Sequence, residues 1–314
     1  MGEEIVRVNR LKKYFPVKDR HLRAVDDVSL AIQRGEIYGI VGESGCGKTT
    51  LGRCILRLLH VTGGEVLFRG MDITNLDHKQ MKKHRRQMQM IFQNPYSSFN
   101  PKMTIGQSLR EVGSVYKLAP QDTRSRIERL LGYISLTDEV LHRHPNQLSG
   151  GQLQRLAIAR ALLLEPDFIM ADEPVSALDV SVQAQILNLM LDLRDKLGLT
   201  MMFISHELTV VEHVCDVIAV MYLGVVVEQA ATPEFFSNVL HPYSQALLSA
   251  KPKDDPEAKT QRIILEGDMP NAIDMPEGCR FASRCRRFQA GKCDVEQPTL
   301  RQVRAGHWVA CHLV

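Results

Sequence analysis

Gly42-Glu43-Ser44-Gly45-Cys46-Gly47-Lys48-Thr49 is a glycine-rich segment that fits the pattern G-x-x-x-x-G-K-[S/T]. The short apolar run at 37–41 comes just before it and is typical of a buried strand. Apolar residues at helical spacing, from Leu51 to Leu59, come just after it. Strand, glycine loop and helix in this order are the context in which the pattern binds phosphate. The sequence therefore predicts a phosphate-binding P-loop, with a chance glycine-rich turn as the alternative.

The residue types of this loop indicate its ligand. Glycines let backbone N–H groups close around phosphate oxygens, and a helix N-terminus adds favourable dipole charge. We expect Lys48 to reach the terminal phosphates and the Thr49 hydroxyl to ligate Mg²⁺. The loop thus points to a nucleoside triphosphate.

The composition is that of a globular protein. The chain has 314 residues, of which 44% are hydrophobic and 24% charged. Its net charge of +3 is too small to argue for a nucleic-acid partner. No apolar run approaches the roughly 20 residues that span a bilayer, and the N-terminus lacks the features of a signal peptide. We expect a cytoplasmic protein whose role at a membrane requires partner subunits.

Strand and helix patterns alternate along most of the chain. This order predicts an α/β fold: a P-loop nucleotide hydrolase with a mixed or parallel sheet and an inserted α-helical subdomain. Proline-rich, charged sequence then precedes a cysteine-rich end. The predicted domains are a nucleotide-binding domain at 1–250 with its helical subdomain at about 94–165, a linker at 251–278, and a cysteine-rich extension at 279–314.

Acidic residues follow the apolar strand at 168–171. Asp172 is placed to hold Mg²⁺ through water, and Glu173 to polarise an attacking water as general base. The alternative is that Asp172 only caps a turn. His206 follows the strand at 200–204, and carboxyl ends of parallel strands share one sheet edge. We therefore expect His206 near Asp172, against the alternative of a structural histidine.

A second motif, Leu148-Ser149-Gly150-Gly151-Gln152, opens a long amphipathic helix. Its serine and glycine N–H groups form another helix N-terminus suited to an anion. At these residues the chain resembles the ATP-binding cassette (ABC) family, whose signature is Leu-Ser-Gly-Gly-Gln. The resemblance covers about residues 5–250 and involves seven motifs in the expected order.

The resemblance implies a role for each matched residue. Phe15, or its neighbour Tyr14, would stack on adenine, and Gln93 would sense Mg²⁺ and water and contact a membrane subunit. The signature would bind the ATP of a second cassette, His206 would act as the switch histidine, and the interface loop would be Ser176, Ala177, Leu178 and Asp179. The catalytic residues implied are Glu173, His206 and Gln93. The Mg²⁺ ligands implied are Thr49, Gln93 and Asp172. The ATP-binding residues implied are Phe15, Tyr14, Gly42, Glu43, Ser44, Gly45, Cys46, Gly47, Lys48, Thr49 and Thr50.

Four cysteines lie in the last part of the chain: Cys279, Cys285, Cys293 and Cys311. Their spacing lacks the C-x₂-C pairs of zinc ribbons and indicates a metal site of undecided type. The surrounding sequence resembles the C-terminal extension of oligopeptide and dipeptide importer ATPases. That resemblance implies a [4Fe–4S] cluster on these four cysteines. Zinc and uncoordinated or disulfide-linked thiols are the alternatives, as is ligation by His307 or His312.

The same resemblance implies a function. The chain would be an ATPase that powers import of dipeptides or oligopeptides through cycles of ATP-driven dimerisation. Its partners would be a second cassette, expected to be a different chain, two transmembrane permease subunits and an extracytoplasmic substrate-binding protein, with no nucleic acid. It would lie at the cytoplasmic face of the inner membrane. The alternatives are a soluble cassette ATPase acting on DNA or ribosomes and an importer of nickel or glutathione.

Overall fold

The structure is a computed structural model that describes residues 2–251, 263–267 and 269–314. The chain divides into two compact units. The first unit comprises Met1–Ile5, Ile32–Glu36 and Asn75–Ile204. The second comprises Val6–Ala31, Ile37–Thr74 and Ser205–Val314.

The strands and helices are numbered in chain order. The strands are β1 (Glu4–Val17), β2 (Arg20–Gln33), β3 (Ile37–Val41), β4 (Gly63–Phe68), β5 (Met71–Asp72), β6 (Met88–Ile91), β7 (Phe168–Asp172), β8 (Thr200–Ser205), β9 (Val217–Tyr222), β10 (Val225–Ala231), β11 (Arg301–Arg304) and β12 (His307–Val309). The helices are α1 (Lys48–Ile55), α2 (His78–Gln87), α3 (Ile105–Val115), α4 (Pro120–Tyr133), α5 (Gly150–Leu162), α6 (Val180–Leu197), α7 (Leu208–Val214), α8 (Thr232–Ser237) and α9 (Pro242–Ser249).

The first unit is built on parallel strands. β6 pairs with β7, and β7 pairs with β8, both in parallel register. All five residues of β7 are buried, as expected for an apolar strand in the middle of a covered parallel sheet. Helices α3, α4 and α5 and several 3₁₀ turns occupy the region where the sequence predicts a helical block.

The second unit contains two sheets. In one, β1 lies between β2 and β4, and β1 pairs with β4 in antiparallel register. In the other, β3 pairs in parallel with β9, and β9, β10, β12 and β11 follow as antiparallel neighbours. The residues of β3 are all buried, so the P-loop that follows this strand is attached to a rigid element. The C-terminal strands extend the same sheet through β10.

The predicted α/β class is confirmed, and the sheet is mixed. Strand β1 extends through Val17; it pairs with β4 over 6–12 and has β2 as its other neighbour. Strands β10, β11 and β12 were not predicted. Much of the predicted linker, at 252–262 and 268, lies outside the described residues. The predicted domain boundaries stay predictions.

Candidate active site

The P-loop requires glycine at two positions. Gly42 has φ +154° and Gly47 has φ +108°, both in the region that side chains other than glycine rarely adopt. A Cβ atom on Gly47 would lie 2.0 Å from the carbonyl oxygen of Ala24, and one on Gly42 would lie 2.2 Å from that of Met221. The loop is therefore packed so closely against neighbouring backbone that no larger residue fits.

Lys48 is the first residue of α1 and lies against the loop. Its side chain is buried, and Nζ donates hydrogen bonds to the carbonyl oxygens of Gly42 (2.7 Å) and Glu43 (3.0 Å). The N-cap is Gly47, which has no side chain to cap the first-turn N–H groups, and the first turn of α1 contains no acidic residue. A helix N-terminus with a buried ammonium group beside it fits a phosphate anion. Thr49 and Thr50 lie in the first turn and are half-buried.

Residues far along the chain fix the conformation of the loop. The N–H of Glu43 donates to Tyr243 Oη at 2.9 Å, and Arg284 Nη1 and Nη2 donate to the Glu43 carboxylate at 2.9 and 3.2 Å. The N–H of Gly224 donates to the carbonyl oxygen of Cys46 at 2.8 Å. Sequence reasoning gave Tyr243 and Arg284 no role in the site, because no local pattern marks such distant partners. Burial raises the pKa of the Cys46 thiol, which is thus a protonated packing group.

The two aromatic candidates for adenine stacking differ in their contacts. Tyr14 Oη donates to Asp26, and its ring lies under Arg23 with 5.7 Å from the guanidinium carbon to the ring centroid. Burial and the bond to Asp26 raise the pKa of Tyr14 to about 12. The ring of Phe15 is half-buried and has Lys13 Nζ 4.7 Å from its centroid. Tyr14 is thus occupied by polar contacts, whereas Phe15 offers an aromatic surface without a hydroxyl group.

In the first unit, three of the predicted site residues come together after β6 and β7. Gln93 Nε2 donates to Glu173 Oε2 at 2.9 Å and to Ser176 Oγ at 3.4 Å, and Ser176 Oγ donates to the carbonyl oxygen of Glu173 at 3.1 Å. Asp172 ends β7 and is buried. Glu173 has φ +45°, which turns the chain sharply, and its N–H donates to the Ile204 carbonyl at 3.0 Å. The strained backbone fixes the direction of the Glu173 side chain.

The signature segment and the interface loop also meet in the first unit. Ser149 caps α5: its Oγ accepts from the Gln152 N–H at 3.3 Å, and Gln152 Oε1 accepts from the Ser149 N–H at 3.1 Å. A Cβ atom on Gly151 would lie 2.6 Å from Val182 Cγ1, and one on Gly150 would lie 3.4 Å from Leu178 Cδ2. Leu148 is buried. The glycines thus let the start of α5 pack closely against the start of α6.

The interface loop projects from this contact. Ala177 and Asp179 are exposed, and Val180 is 82% exposed at the start of α6. Asp179 caps α6 by accepting from the Val182 N–H at 3.0 Å. Hydrogen bonds from Ser181 and from the Val182 N–H lower the pKa of Asp179. A negative charge at this helix N-terminus is favourable.

His206 belongs to the second unit and follows the last residue of β8. Its side chain is 46% exposed, and its Nε2 lies 3.7 Å from Glu207 Oε1. The neighbouring Ser205 Oγ accepts from the Glu207 N–H at 3.0 Å, which fixes the turn that carries the histidine. The expected proximity of His206 to Asp172 stays a prediction.

The predicted metal centre on the four tail cysteines is wrong. Within 2–251, 263–267 and 269–314, no group of three or more His, Cys, Asp or Glu side chains is arranged to hold a metal ion. The predicted [4Fe–4S] cluster on Cys279, Cys285, Cys293 and Cys311 is therefore not supported. Burial, with a smaller effect of the neighbouring thiols, raises the pKa of Cys279 to about 11. Cys293 is buried and its carbonyl oxygen accepts from the Cys279 N–H at 2.8 Å, which makes both residues part of the packing of the tail. The ring nitrogens of His307 are engaged by two carboxylates: Nε2 lies 2.8 Å from Glu228 Oε1, and Nδ1 lies 3.2 Å from Glu234 Oε1.

The order of a glycine-rich loop after β3, a Ser-Gly-Gly-Gln cap at the start of α5 and an Asp-Glu pair at the end of β7 is typical of an ATP-binding cassette. Comparison with known proteins agrees, since the ABC transporter family model matches residues 25–176. A dimeric cassette in a post-hydrolysis state bound to ADP and Pi superposes with a TM-score of 0.66 at 30% identity, covering 73% of this chain and 99% of that one. The chain belongs to the ABC transporter family, as one of its ATP-hydrolysing subunits, and this membership implies ATP and Mg²⁺ as cofactors.

Within that family, the chain is similar to ATP-binding subunits named for peptide transport. The model of the oligopeptide/dipeptide transporter C-terminal region matches residues 227–293. A putative peptide import ATP-binding protein of Brucella ovis is 47% identical over 98% of this chain and 97% of its own length. The dipeptide transport ATP-binding protein DppF of Escherichia coli is 46% identical over 100% of this chain and 96% of its own length.

No helix in the described part of the chain is both long and apolar enough to cross a membrane.

Proposed function

We propose that this chain is the ATP-hydrolysing subunit of an importer of dipeptides or oligopeptides. The observation that supports the cargo class is the similarity over nearly the whole chain to ATP-binding proteins named for peptide import and dipeptide transport. The match of the C-terminal region to the oligopeptide/dipeptide transporter model supports it independently of the cassette itself. Nickel and glutathione remain the alternative cargoes to be tested.

The proposed ATP-binding residues are those of the P-loop, 42–50, with Phe15 as the adenine platform. The buried Lys48 ammonium and the closely packed glycines support phosphate binding. A cation lies over each ring, so the hydrogen bond that ties the Tyr14 hydroxyl to Asp26 is what favours Phe15 over Tyr14 for stacking. Thr49, Gln93 and Asp172 are the proposed Mg²⁺ ligands; the ion, when bound, neutralises phosphate charge as the reaction proceeds.

Glu173 is the proposed general base of hydrolysis. The hydrogen bond from Gln93 and the positive φ at Glu173 fix its carboxylate in one direction, which is the property a positioned base requires. Gln93 donates a hydrogen bond to the Glu173 carboxylate, so a movement of Gln93 would change the position of the proposed base. This contact supports a role for Gln93 in linking the reaction to a membrane subunit. His206 is the proposed switch histidine.

The proposed working unit contains two cassettes. The segment 148–152 would bind the ATP of a second cassette, and the exposed residues Ala177, Asp179 and Val180 would lie in the interface. The match to a cassette solved as a dimer supports this arrangement. ATP binding would close the pair and hydrolysis would open it, a cycle that drives a partner between two states. The further partners are two permease subunits and an extracytoplasmic binding protein, and the location is the cytoplasmic face of the cell membrane.

Uptake by cells tests the cargo class. A strain that lacks this chain is complemented with the wild-type chain or with the Lys48→Ala variant, and uptake of a labelled dipeptide, of labelled nickel and of labelled glutathione is measured. We expect only dipeptide uptake to be restored, and only by the wild-type chain. Restored uptake of nickel or glutathione with unchanged dipeptide uptake would overturn the proposed cargo.

A further inference from the structure

Glu43 is an acidic residue within the P-loop, and its N–H group, its carbonyl oxygen and its carboxylate all form hydrogen bonds. Its carbonyl oxygen accepts from Lys48 Nζ (3.0 Å), and its N–H donates to Tyr243 Oη (2.9 Å). Its carboxylate accepts two hydrogen bonds from the guanidinium of Arg284, at 2.9 and 3.2 Å. Tyr243 and Arg284 both lie outside the sequence motifs of the cassette.

The contact between Arg284 and Glu43 is a shielded, two-point ion pair. The Arg284 side chain is 8% exposed and the Glu43 side chain 28% exposed. Burial alone would lower the pKa of Arg284, but the hydrogen bonds with Glu43 and Tyr222 raise this pKa overall. Paired, charge-assisted hydrogen bonds of this kind are stronger and more directional than single neutral ones. The pair is therefore suited to fixing a backbone position.

Arg284 is itself held in place by the C-terminal segment. It ends the 3₁₀ turn Ala282–Arg284, which follows the buried Phe281. The Phe281 ring packs on Tyr222 and Tyr243, with centroid distances of 5.3 and 5.4 Å. Tyr222 lies near Arg284 and Tyr243 binds Glu43, so one aromatic cluster supports both ends of the ion pair.

The charge of Glu43 makes its pairing important for phosphate binding. An unpaired carboxylate in a phosphate-binding loop repels a triphosphate, and the repulsion is large where water is partly excluded. Arg284 offsets this charge and fixes the Glu43 peptide on which Lys48 also rests.

We propose that Arg284 is a positioning residue for the nucleotide site, which it controls through the Glu43 carboxylate. The C-terminal segment is thereby part of the ATP-binding apparatus rather than an independent appendage. The inference rests on the nucleotide site proposed above.

Binding of MgATP to the purified full-length chain tests the proposal, by titration calorimetry. We expect Arg284→Gln to raise the Kd about tenfold, because it leaves the Glu43 carboxylate unpaired beside the phosphates. Arg284→Lys retains the charge without the two-point contact, so its Kd falls between those of the wild type and Arg284→Gln. In the assembled transporter the KM for ATP of Arg284→Gln rises, while kcat at saturating ATP changes by less than about twofold.

The double variant Glu43→Gln/Arg284→Gln separates compensation of the Glu43 charge by Arg284 from a general loss of structure. It removes the repelling charge, so we expect its Kd to return to within about threefold of the wild type. The control Arg286→Gln lies in the same segment, and that side chain binds the carbonyl oxygen of Ile264 instead of the P-loop. Its Kd stays that of the wild type.

Two results would overturn the inference. One is a double variant that binds MgATP no better than Arg284→Gln; the other is an Arg284→Gln chain with wild-type affinity. If Arg284→Gln does not fold, the comparison between Arg284→Lys and the double variant decides instead. A wild-type chain that fails to bind MgATP would instead refute the nucleotide site, so the two failures are distinguishable.

Discussion

Replacing Glu173 by glutamine tests the assignment of the general base with little change in structure. The substitution leaves the φ of +45° and the hydrogen bond from the residue's N–H to Ile204 in place. The amide oxygen of glutamine still accepts from Gln93 Nε2, which lies 2.9 Å from the carboxylate oxygen in the wild type. Loss of the charge on a half-buried acceptor weakens this bond by about 1 kcal/mol, which corresponds to a fall in Tm of at most about 4 °C.

The expected effect on catalysis is much larger. General base catalysis contributes about 10²–10⁴-fold, which at 1.36 kcal/mol per tenfold is roughly 3–5 kcal/mol of transition-state stabilisation. We therefore expect the kcat for ATP hydrolysis to fall by at least about 100-fold while MgATP binding is retained. Under the proposed cycle, ATP binding closes the pair and hydrolysis opens it, so we expect the variant to accumulate as a closed pair of cassettes.

The assay combines steady-state phosphate release, MgATP binding and size-exclusion chromatography in ATP. The matched control is Glu128→Gln, which removes an exposed carboxylate of α4 that pairs with Arg124 at 2.8 Å. Its turnover stays that of the wild type. Turnover of Glu173→Gln within tenfold of the wild type would refute the role of this carboxylate as base.

Two further predictions concern stability. Tyr14 and Arg280 hold the Asp26 carboxylate, and although burial opposes its ionisation, their hydrogen bonds lower the pKa of Asp26 overall. Its stabilising contribution is therefore complete above the pKa of an unfolded aspartate, about 3.9, and is lost as the pH falls through the lower pKa of the folded state. Asp26→Asn removes the carboxylate partner of the buried Arg280 and is expected to cost about 3–5 kcal/mol at pH 7 in urea unfolding. The difference from the wild type shrinks towards pH 3, and an equal difference at both pH values would contradict this. Gly47→Ala places a Cβ atom 2.0 Å from the backbone carbonyl oxygen of Ala24. We expect it to destabilise the chain by at least about 2 kcal/mol more than the control Gly70→Ala, because Gly70 also has a positive φ but a Cβ atom there would have no neighbour within 4 Å. Equal losses of stability in the two variants would show that the close approach at Gly47 is unimportant.

The sequence predicted the parts of the site that depend on local pattern. β3, the P-loop and α1 were all expected from 37–59, because each has its own periodicity or glycine spacing. The same holds for β7 with Asp172 and Glu173, where an apolar strand ends in acidic residues. Ser149 was expected at the start of a helix, and the structure shows it as the N-cap of α5.

The features that sequence reasoning missed depend on contacts between distant residues. Arg284 and Glu43 are 241 positions apart, and nothing in either neighbourhood marks them as partners. Strands β11 and β12 are short; β12 pairs with β10 and β11 pairs with β12, which periodicity within the tail does not reveal. The cysteine spacing carried no information on whether the four side chains converge on one point, and it was the resemblance that led to the incorrect cluster.

The most direct test of the central claim is ATP-dependent peptide uptake by proteoliposomes. These contain the chain, its partner cassette and both permease subunits, with the binding protein and a labelled dipeptide in the medium that faces the extracytoplasmic side. We predict uptake that requires ATP at the cassettes, is accompanied by peptide-stimulated phosphate release, and is abolished by Glu173→Gln in this chain. Uptake that persists in Glu173→Gln, or phosphate release stimulated by DNA instead of peptide, would contradict the account.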